Sequence, residues 1–454
     1  MLNKKIKVFW MSAEIAPLAK VGGLGDVAGA LPKALNKEGV DIRLSMPYYG
    51  SIKTPAKLFL KGLKMSLGKK TLSFDVYLTA LPNTKIPVYL IKHPLFKEKE
   101  VYAKTNEFDH FALWSKASLT LITALDFIPD ILHLNDWHAA LAVNFLPEFK
   151  MEYPSVFSKT KVLYTIHNIS NQGYNKKHNL NPMAEAIRLA NYVNTVSPTY
   201  AKEILTKEYG VGMEKILKKR GKTLSGILNG IDVDVFNPKN DPNLTYHYSS
   251  KKLSGKIKNK LSLQFQLGLE VDAKRPLLAF VARLNWQKGI ELFNDDLFGE
   301  IIKKYQAQFI FLGDGENKYK TYLNRMAKKY PNNIRVFFGF DASLAQRIYA
   351  ASDFFLVPSR FEPCGLTQMM AMHYGSLPIV RSVGGLKDTV NSLVGYSFKD
   401  YTALDLKVII SKALKDFSSN FAIIEKKRQN AMKKDFSWQA SALQYFKLYR
   451  KMIK

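Results

Sequence analysis

Short apolar runs alternate along the chain with longer stretches whose hydrophobic residues recur at helical spacing. IKVFWM (6–11), DIRLSM (41–46), FDVYLTAL (74–81), IPVYLI (86–91), DILHL (130–134) and KVLYTIH (161–167) read as strands in the first half. PLLAFVA (276–282), AQFIFLG (307–313), IRVFFG (334–339), FFLVP (354–358) and LPIVR (377–381) do so in the second. Near-continuous apolar strands separated by helices predict an α/β fold with parallel sheets covered on both faces. Residues 237–256, NPKNDPNLTYHYSSKKLSGK, break the pattern with Pro, Asn, Ser and charge, and read as a linker. Two Rossmann-like domains follow, over 1–240 and 257–435. The tail 436–454 carries apolar residues at helical spacing and predicts a closing helix. In such sheets ligands gather at the C-terminal ends of the strands.

A length of 454 residues agrees with two domains. One cysteine, Cys364, excludes an intramolecular disulfide framework and fits a reducing compartment. The opening MLNKKIKVFWMSAE has lysines before an apolar stretch, but Glu14 interrupts it too early for a signal peptide. No run approaches 18 apolar residues. The expectation is a cytoplasmic protein with no membrane partner. The net charge of +29 raises nucleic-acid binding, yet the cations are mostly lysine and dispersed. Clusters such as Lys218-Lys219-Arg220 lack the interleaved aromatics of a base-stacking platform, so no specific nucleic-acid partner is expected.

Candidate chemistry sits where strands end. LAKVGGLGDVAGALPKAL (18–35) places Lys20, Gly22 and Gly23 where a strand hands over to a helix, with Val27, Ala30, Leu31 and Ala34 on one side. The spacing is not that of a dinucleotide fingerprint, but an ammonium beside bare amides suits a diphosphate. Pro32 should strain that helix beyond its first turn. ILHLNDWHAAL (131–141) gathers His133, Asp136 and His138 in a spacing that matches no common zinc pattern, and no metal is expected. YTIHNISNQG ends another strand with His167-Asn168. FVARLNWQKGIELF carries Arg283 and Lys288 five apart after a strand, a cationic clamp for a diphosphate. In FFLVPSRFEPCGLTQMMAMHYG, Glu362 precedes Gly365-Leu366-Thr367, whose amides open a helix. The carboxylate would repel phosphate, so it should meet sugar hydroxyls while the amides meet the diphosphate.

Together SAEIAPLAKVGGLGDV, LNDWHAAL, TIHN, ILNGID, ARLNWQKG, RIYAASDFFLVPSRFEPCGLTQ, VGGLKDTV and DFSWQASA resemble the bacterial glycogen synthases and plant starch synthases over nearly the whole chain. That resemblance implies a GT-B fold, with two Rossmann-like domains facing a deep cleft and the C-terminal helix crossing back to the first. It implies transfer of glucose from ADP-glucose to the 4-hydroxyl of an α-1,4-glucan such as glycogen, with retention and without a metal or other cofactor. Lys20 and the Gly22-Gly23 loop would hold the donor's diphosphate and sugar; Arg283 and Lys288 would neutralise the leaving ADP. Glu362 would bind the glucose, and the amides of Gly365, Leu366 and Thr367 its hydroxyls and phosphate. His167 and Asn168 would line the reacting face beside Asp136 and Asn229, and Asp26 and Glu14 match cleft positions more loosely.

Three positions depart from the family pattern: Asn171 stands where an aromatic usually precedes QG, Phe340 replaces an adenine-stacking tyrosine, and the segment after Val390 is short. Retaining hydrolases need two close carboxylates, and no such pair is identifiable here. Abundant cations and amides favour electrostatic stabilisation of a departing nucleotide diphosphate. Two alternatives stay open at this point: a related transferase using UDP-glucose or a small acceptor, and a basic nucleic-acid-binding protein on an inactive transferase fold.

Overall fold

The computed structural model describes residues 5–97, 100–102 and 106–454. Residues 1–4, which include part of the basic opening, lie outside them. Two units emerge: residues 1–230 with 438–454, and residues 231–437.

In unit 1 the strands are β1 (Lys7–Met11), β2 (Asp41–Pro47), β3 (Lys57–Leu67), β4 (Lys70–Ala80), β5 (Pro87–Lys92), β6 (Ile131–Asn135), β7 (Lys161–Ile166), β8 (Tyr192–Thr195) and β9 (Leu224–Gly226). They form one sheet in the order β3-β4-β5-β2-β1-β6-β7-β8-β9. From β5 to β9 every pairing is parallel; β3-β4 and β4-β5 are antiparallel. The sheet is thus parallel over most of its width, as expected, with an antiparallel extension of β3 and β4 at one edge. Strand β3 escaped the sequence pattern because most of its residues are exposed and carry no apolar run. Val8, Phe9, Trp10 and Met11 in β1 are fully buried, as covering on both faces requires.

The helix Gly23–Lys37 continues without a break past Pro32. Proline removes the N–H that the Ala28 carbonyl would accept, but the residue is buried and packing holds the helix together. That helix packs against the C-terminal helix Trp438–Ile453, which belongs to unit 1 although all of unit 2 separates it in the chain. Tyr445 and Tyr449 are fully buried there. Asn194 Nδ2 donates to the Tyr445 hydroxyl at 2.9 Å, and Ser441 Oγ to the Leu228 carbonyl at 2.6 Å.

Unit 2 holds β10 (Leu277–Val281), β11 (Gln308–Gly313), β12 (Ile334–Phe338), β13 (Phe354–Val357), β14 (Leu377–Arg381) and β15 (Tyr396–Phe398). The order is β12-β11-β10-β13-β14-β15, parallel throughout. The order reverses at β10, so the loops after β10 and β13 flank a topological switch point. Residues 237–256 are not a free linker. The chain enters unit 2 at Ile231, and Tyr248 donates to the Tyr374 carbonyl at 2.7 Å while Tyr374 donates to Asp241 Oδ2 at 2.5 Å. Polar composition here reflects a hydrogen-bonded surface loop of the unit.

Candidate active site

Within unit 1 the glycine loop leaves β1 and enters the helix Gly23–Lys37. Glu14 is 2% exposed and folds into the loop: its Oε2 accepts the N–H groups of Val21 at 2.6 Å and Gly22 at 2.8 Å. Its Oε1 accepts the hydroxyl of Tyr102, whose own pKa is raised by burial and by that carboxylate. Gly22 has thus committed its N–H within the protein. The Gly23 N–H makes no hydrogen bond among the described residues. Lys20 pairs with Asp26 at 2.6 Å, both half-exposed. A Cβ at Gly22 or Gly23 would meet nothing within 4 Å, and Gly22 is in extended backbone at φ −143°. Neither packing nor torsion requires glycine at 22.

Beside this loop, β6 and β7 end together. The chain turns after Asn135 through Asp136, whose φ of +55° lies in the left-handed region. Asp136 Oδ1 accepts the His167 N–H at 2.7 Å and the Asn168 N–H at 3.3 Å, tying the two strand ends. Burial, with a smaller contribution from the nearby Glu14 charge, pushes its pKa up to about 7 against the opposing pull of those two amides. His167 Nε2 lies 3.0 Å from Asn135 Oδ1, while Asn135 Nδ2 donates to the Met11 carbonyl at 3.0 Å. That second bond orients the amide, so His167 Nε2 carries the proton and Nδ1 is left as an acceptor. Burial lowers the His167 pKa to about 3, which makes it a neutral imidazole across the physiological range. Asn229, in the loop after β9, is 7% exposed, and its Oδ1 finds no partner among the described residues.

The two other histidines of the sequence run have different fates. His133 bonds through Nδ1 to the Tyr449 hydroxyl at 2.7 Å and through Nε2 to Thr165 Oγ1 at 2.8 Å, a packing role between sheet and C-terminal helix. His138 is packed among the rings of Tyr102, Phe111 and Trp137, and burial lowers its pKa to about 3. Among the described residues no group of three His, Cys, Asp or Glu could hold a metal ion. Tyr102 was not foreseen from sequence: it bonds to Glu14 across 88 positions, and no local motif marks it.

Within unit 2 the loop after β10 carries Arg283, which is exposed, with its guanidinium in no hydrogen bond or ion pair among the described residues. Lys288 follows in a short 3-10 turn capped by Asn285. Its ammonium lies 2.6 Å from Glu362 Oε2, an oxygen that also accepts Ser359 Oγ at 2.9 Å. Sequence reasoning assigned these two residues separate ligand groups; the fold joins them as an ion pair. Both contacts fall on Oε2, so Oε1 is the oxygen with room for a hydroxyl. Gly365 adopts φ +73°, and a Cβ there would collide with the Gln368 carboxamide, so glycine is required. The N–H groups of Gly365, Leu366 and Thr367 donate to no group among the described residues, at the start of the helix Thr367–His373. Phe340, in the loop after β12, is 91% exposed.

Residues 7–219 match the family described as starch synthase catalytic domain, and 266–430 that described as glycosyl transferases group 1. The chain is 38% identical to a glycogen synthase of Streptococcus agalactiae over 98% of its own length and 100% of the relative's. It is also 38% identical to glycogen synthase 1 of Synechocystis, over 99% and 95%. Among solved structures, the catalytic domain of Arabidopsis thaliana starch synthase IV, bound to ADP and acarbose, superposes with a TM-score of 0.88 at 30% identity, covering 99% of both chains.

Proposed function

The chain belongs to the starch and glycogen synthase family, and from that premise we propose how its residues carry out glucosyl transfer. It is a retaining glucosyltransferase with the GT-B fold, taking a nucleotide-sugar donor and a glucan acceptor. In our reading the donor is ADP-glucose and the acceptor is the non-reducing end of glycogen or another α-1,4-glucan. The bond from glucose C1 to the diphosphate oxygen breaks, the glucan 4-hydroxyl oxygen bonds to C1 from the same face, and its proton passes to the departing ADP.

The observation that carries the assignment of roles is the unspent charge in unit 2. Among the described residues Arg283 has no partner, and the N–H groups of Gly365 to Thr367 donate to nothing. These are the groups suited to charge that grows on a leaving diphosphate, where a preorganised donor contributes about 2.7–4 kcal/mol. Lys288 would share its charge between that diphosphate and Glu362, while Glu362 Oε1 meets a sugar hydroxyl. On unit 1, Lys20 and the Gly23 N–H would receive the donor, Glu14 holding the loop in shape and Asp26 holding Lys20. The open space above Gly22 and Gly23, unneeded by packing, supports a ligand approaching there. His167 would accept a sugar hydroxyl at Nδ1, flanked by Asp136, Asn168 and Asn229; Phe340 would lie against the adenine.

No helix among the described residues is long and apolar enough to cross a membrane. We take the protein to act in the cytoplasm, without a nucleic-acid partner, its lysines forming a solvated surface. The test is incorporation of labelled glucose into glycogen, from ADP-glucose and UDP-glucose in parallel, with and without EDTA. Chain extension from ADP-glucose that persists in EDTA is expected. Preference for UDP-glucose would overturn the donor, and loss in EDTA restored by a metal ion would overturn the metal-free reaction.

A further inference from the structure

The N-terminal ends of the central strands of the unit 2 sheet carry a second concentration of charge that glucosyl transfer does not use. Asp353, the residue before β13, is 4% exposed and holds two cations: Lys260 Nζ lies 2.6 Å from Oδ2 and Arg428 Nη2 2.5 Å from Oδ1. Oδ2 also accepts the N–H of Leu277, which opens β10, at 2.9 Å. A third basic side chain, Lys256, is 2% exposed, and among the described residues its ammonium meets only the main-chain carbonyls of Tyr349 at 3.3 Å and Ala350 at 3.0 Å. Three buried basic side chains therefore share one buried carboxylate.

All four side chains line a cavity of about 570 Å³, together with the exposed Lys274 and the rings of Phe417 and Phe421. Buried ions are costly unless opposite charge compensates them. Asp353 is the one carboxylate among these buried groups, so basic side chains outnumber acidic ones at the cavity wall. Burial and the neighbouring Arg428 charge hold the Lys256 pKa well below its ordinary value. Arg428 itself is 3% exposed, and its Nε has no hydrogen-bond partner among the described residues. Lys260 sits 5.1 Å from the centre of the Phe417 ring and Arg428 5.8 Å from that of Phe421, so cations and apolar walls alternate around one space.

We propose that this cavity binds a phosphate anion, free or as the monoester of a small metabolite. A phosphate anion offsets the excess of basic groups, and its oxygens accept from both ammonium and guanidinium groups. The rings would receive the organic part of an ester, and the volume suits a small molecule. The site is distinct from the donor groups: β10 and β13 run from this end of the sheet to the loops of Arg283 and Glu362, about 15 Å along the strands.

The experiment is calorimetric titration of the full chain with glycerol 3-phosphate and with inorganic phosphate, against sodium chloride of equal ionic strength. Arg283→Ala/Lys288→Ala protein removes phosphate binding at the donor groups. Saturable binding of either probe is expected in that background, the tighter one identifying ester or free ion. Lys274→Glu, on an exposed side chain that leaves the buried cluster intact, should weaken it at least tenfold, and Lys256→Met should do the same. Absence of saturable binding by both probes, or equal affinity in the Lys274→Glu protein, would overturn the proposal.

Discussion

Replacing Asp136 by asparagine should change the pH dependence of unit 1's stability in a way no other role for the residue produces. Asp136 begins to ionise in the unfolded chain near its ordinary value of 3.8, whereas in the folded protein burial holds it protonated to about 7. Between those values the native state binds the proton that the unfolded state has released, so stability falls as pH rises, by about 1.4 kcal/mol per pH unit from this group. The integrated penalty reaches about 4 kcal/mol near pH 7 and is constant above it, while below about pH 4 it vanishes. Asparagine keeps the Oδ1 acceptor for the His167 and Asn168 amides and tolerates the left-handed backbone at 136. Urea titrations at pH 5, 6, 7 and 8 read the effect through tryptophan fluorescence, since Trp10, Trp114, Trp137 and Trp438 all lie in unit 1. The stability of Asp136→Asn relative to wild type should rise by about 2–3 kcal/mol between pH 5 and pH 8. A difference independent of pH would show that Asp136 ionises normally, and the account of the strand-end cluster would fail with it.

Other expectations concern unit 2 and the C-terminal helix. Arg283→Ala and Lys288→Ala should each lower kcat by about 10²–10³ with glucan binding little changed; a double variant with near-normal turnover would refute the clamp. Lys288→Ala and Glu362→Gln should be non-additive in a double-mutant cycle by more than about 0.5 kcal/mol, because they touch at 2.6 Å; strict additivity in kcat/KM would separate their roles. Tyr449→Phe should destabilise unit 1 by about 1–3 kcal/mol, leaving the buried His133 Nδ1 without its partner; an unchanged urea midpoint would show that His133 finds another.

The parts of the fold legible in sequence are those whose burial leaves a continuous apolar mark. Strand β1, covered on both faces, announces itself as KVFWM; β3, projecting into solvent, does not. Residues 237–256 look like a linker because polar residues serve equally for solvent and for hydrogen bonds such as those of Asp241 and Tyr248. The candidate site shows the same division. Lys20, Arg283 and Glu362 stand in local motifs, but the capture of the Gly22 amide by Glu14, the Tyr102 hydroxyl on that carboxylate and the Lys288–Glu362 pair arise only when distant segments meet. The local rule for Pro32 predicts strain, and the tertiary packing of its helix overrides that rule.

The return of Trp438–Ile453 to unit 1 bears on how the protein is made. Partners for His133 and Asn194 are Tyr449 and Tyr445, which are synthesised only after the whole of unit 2. At about 5–20 residues per second, the roughly 200 residues of unit 2 take about 10–40 s to synthesise. Throughout that interval unit 1 has its nine strands but lacks the helix that closes over them. Unit 2, whose sheet is drawn entirely from residues 231–437, can finish first although it is translated second. The nascent chain therefore carries an open apolar face on its earliest half, and a ribosome stalled before codon 438 would release a product with that face uncovered.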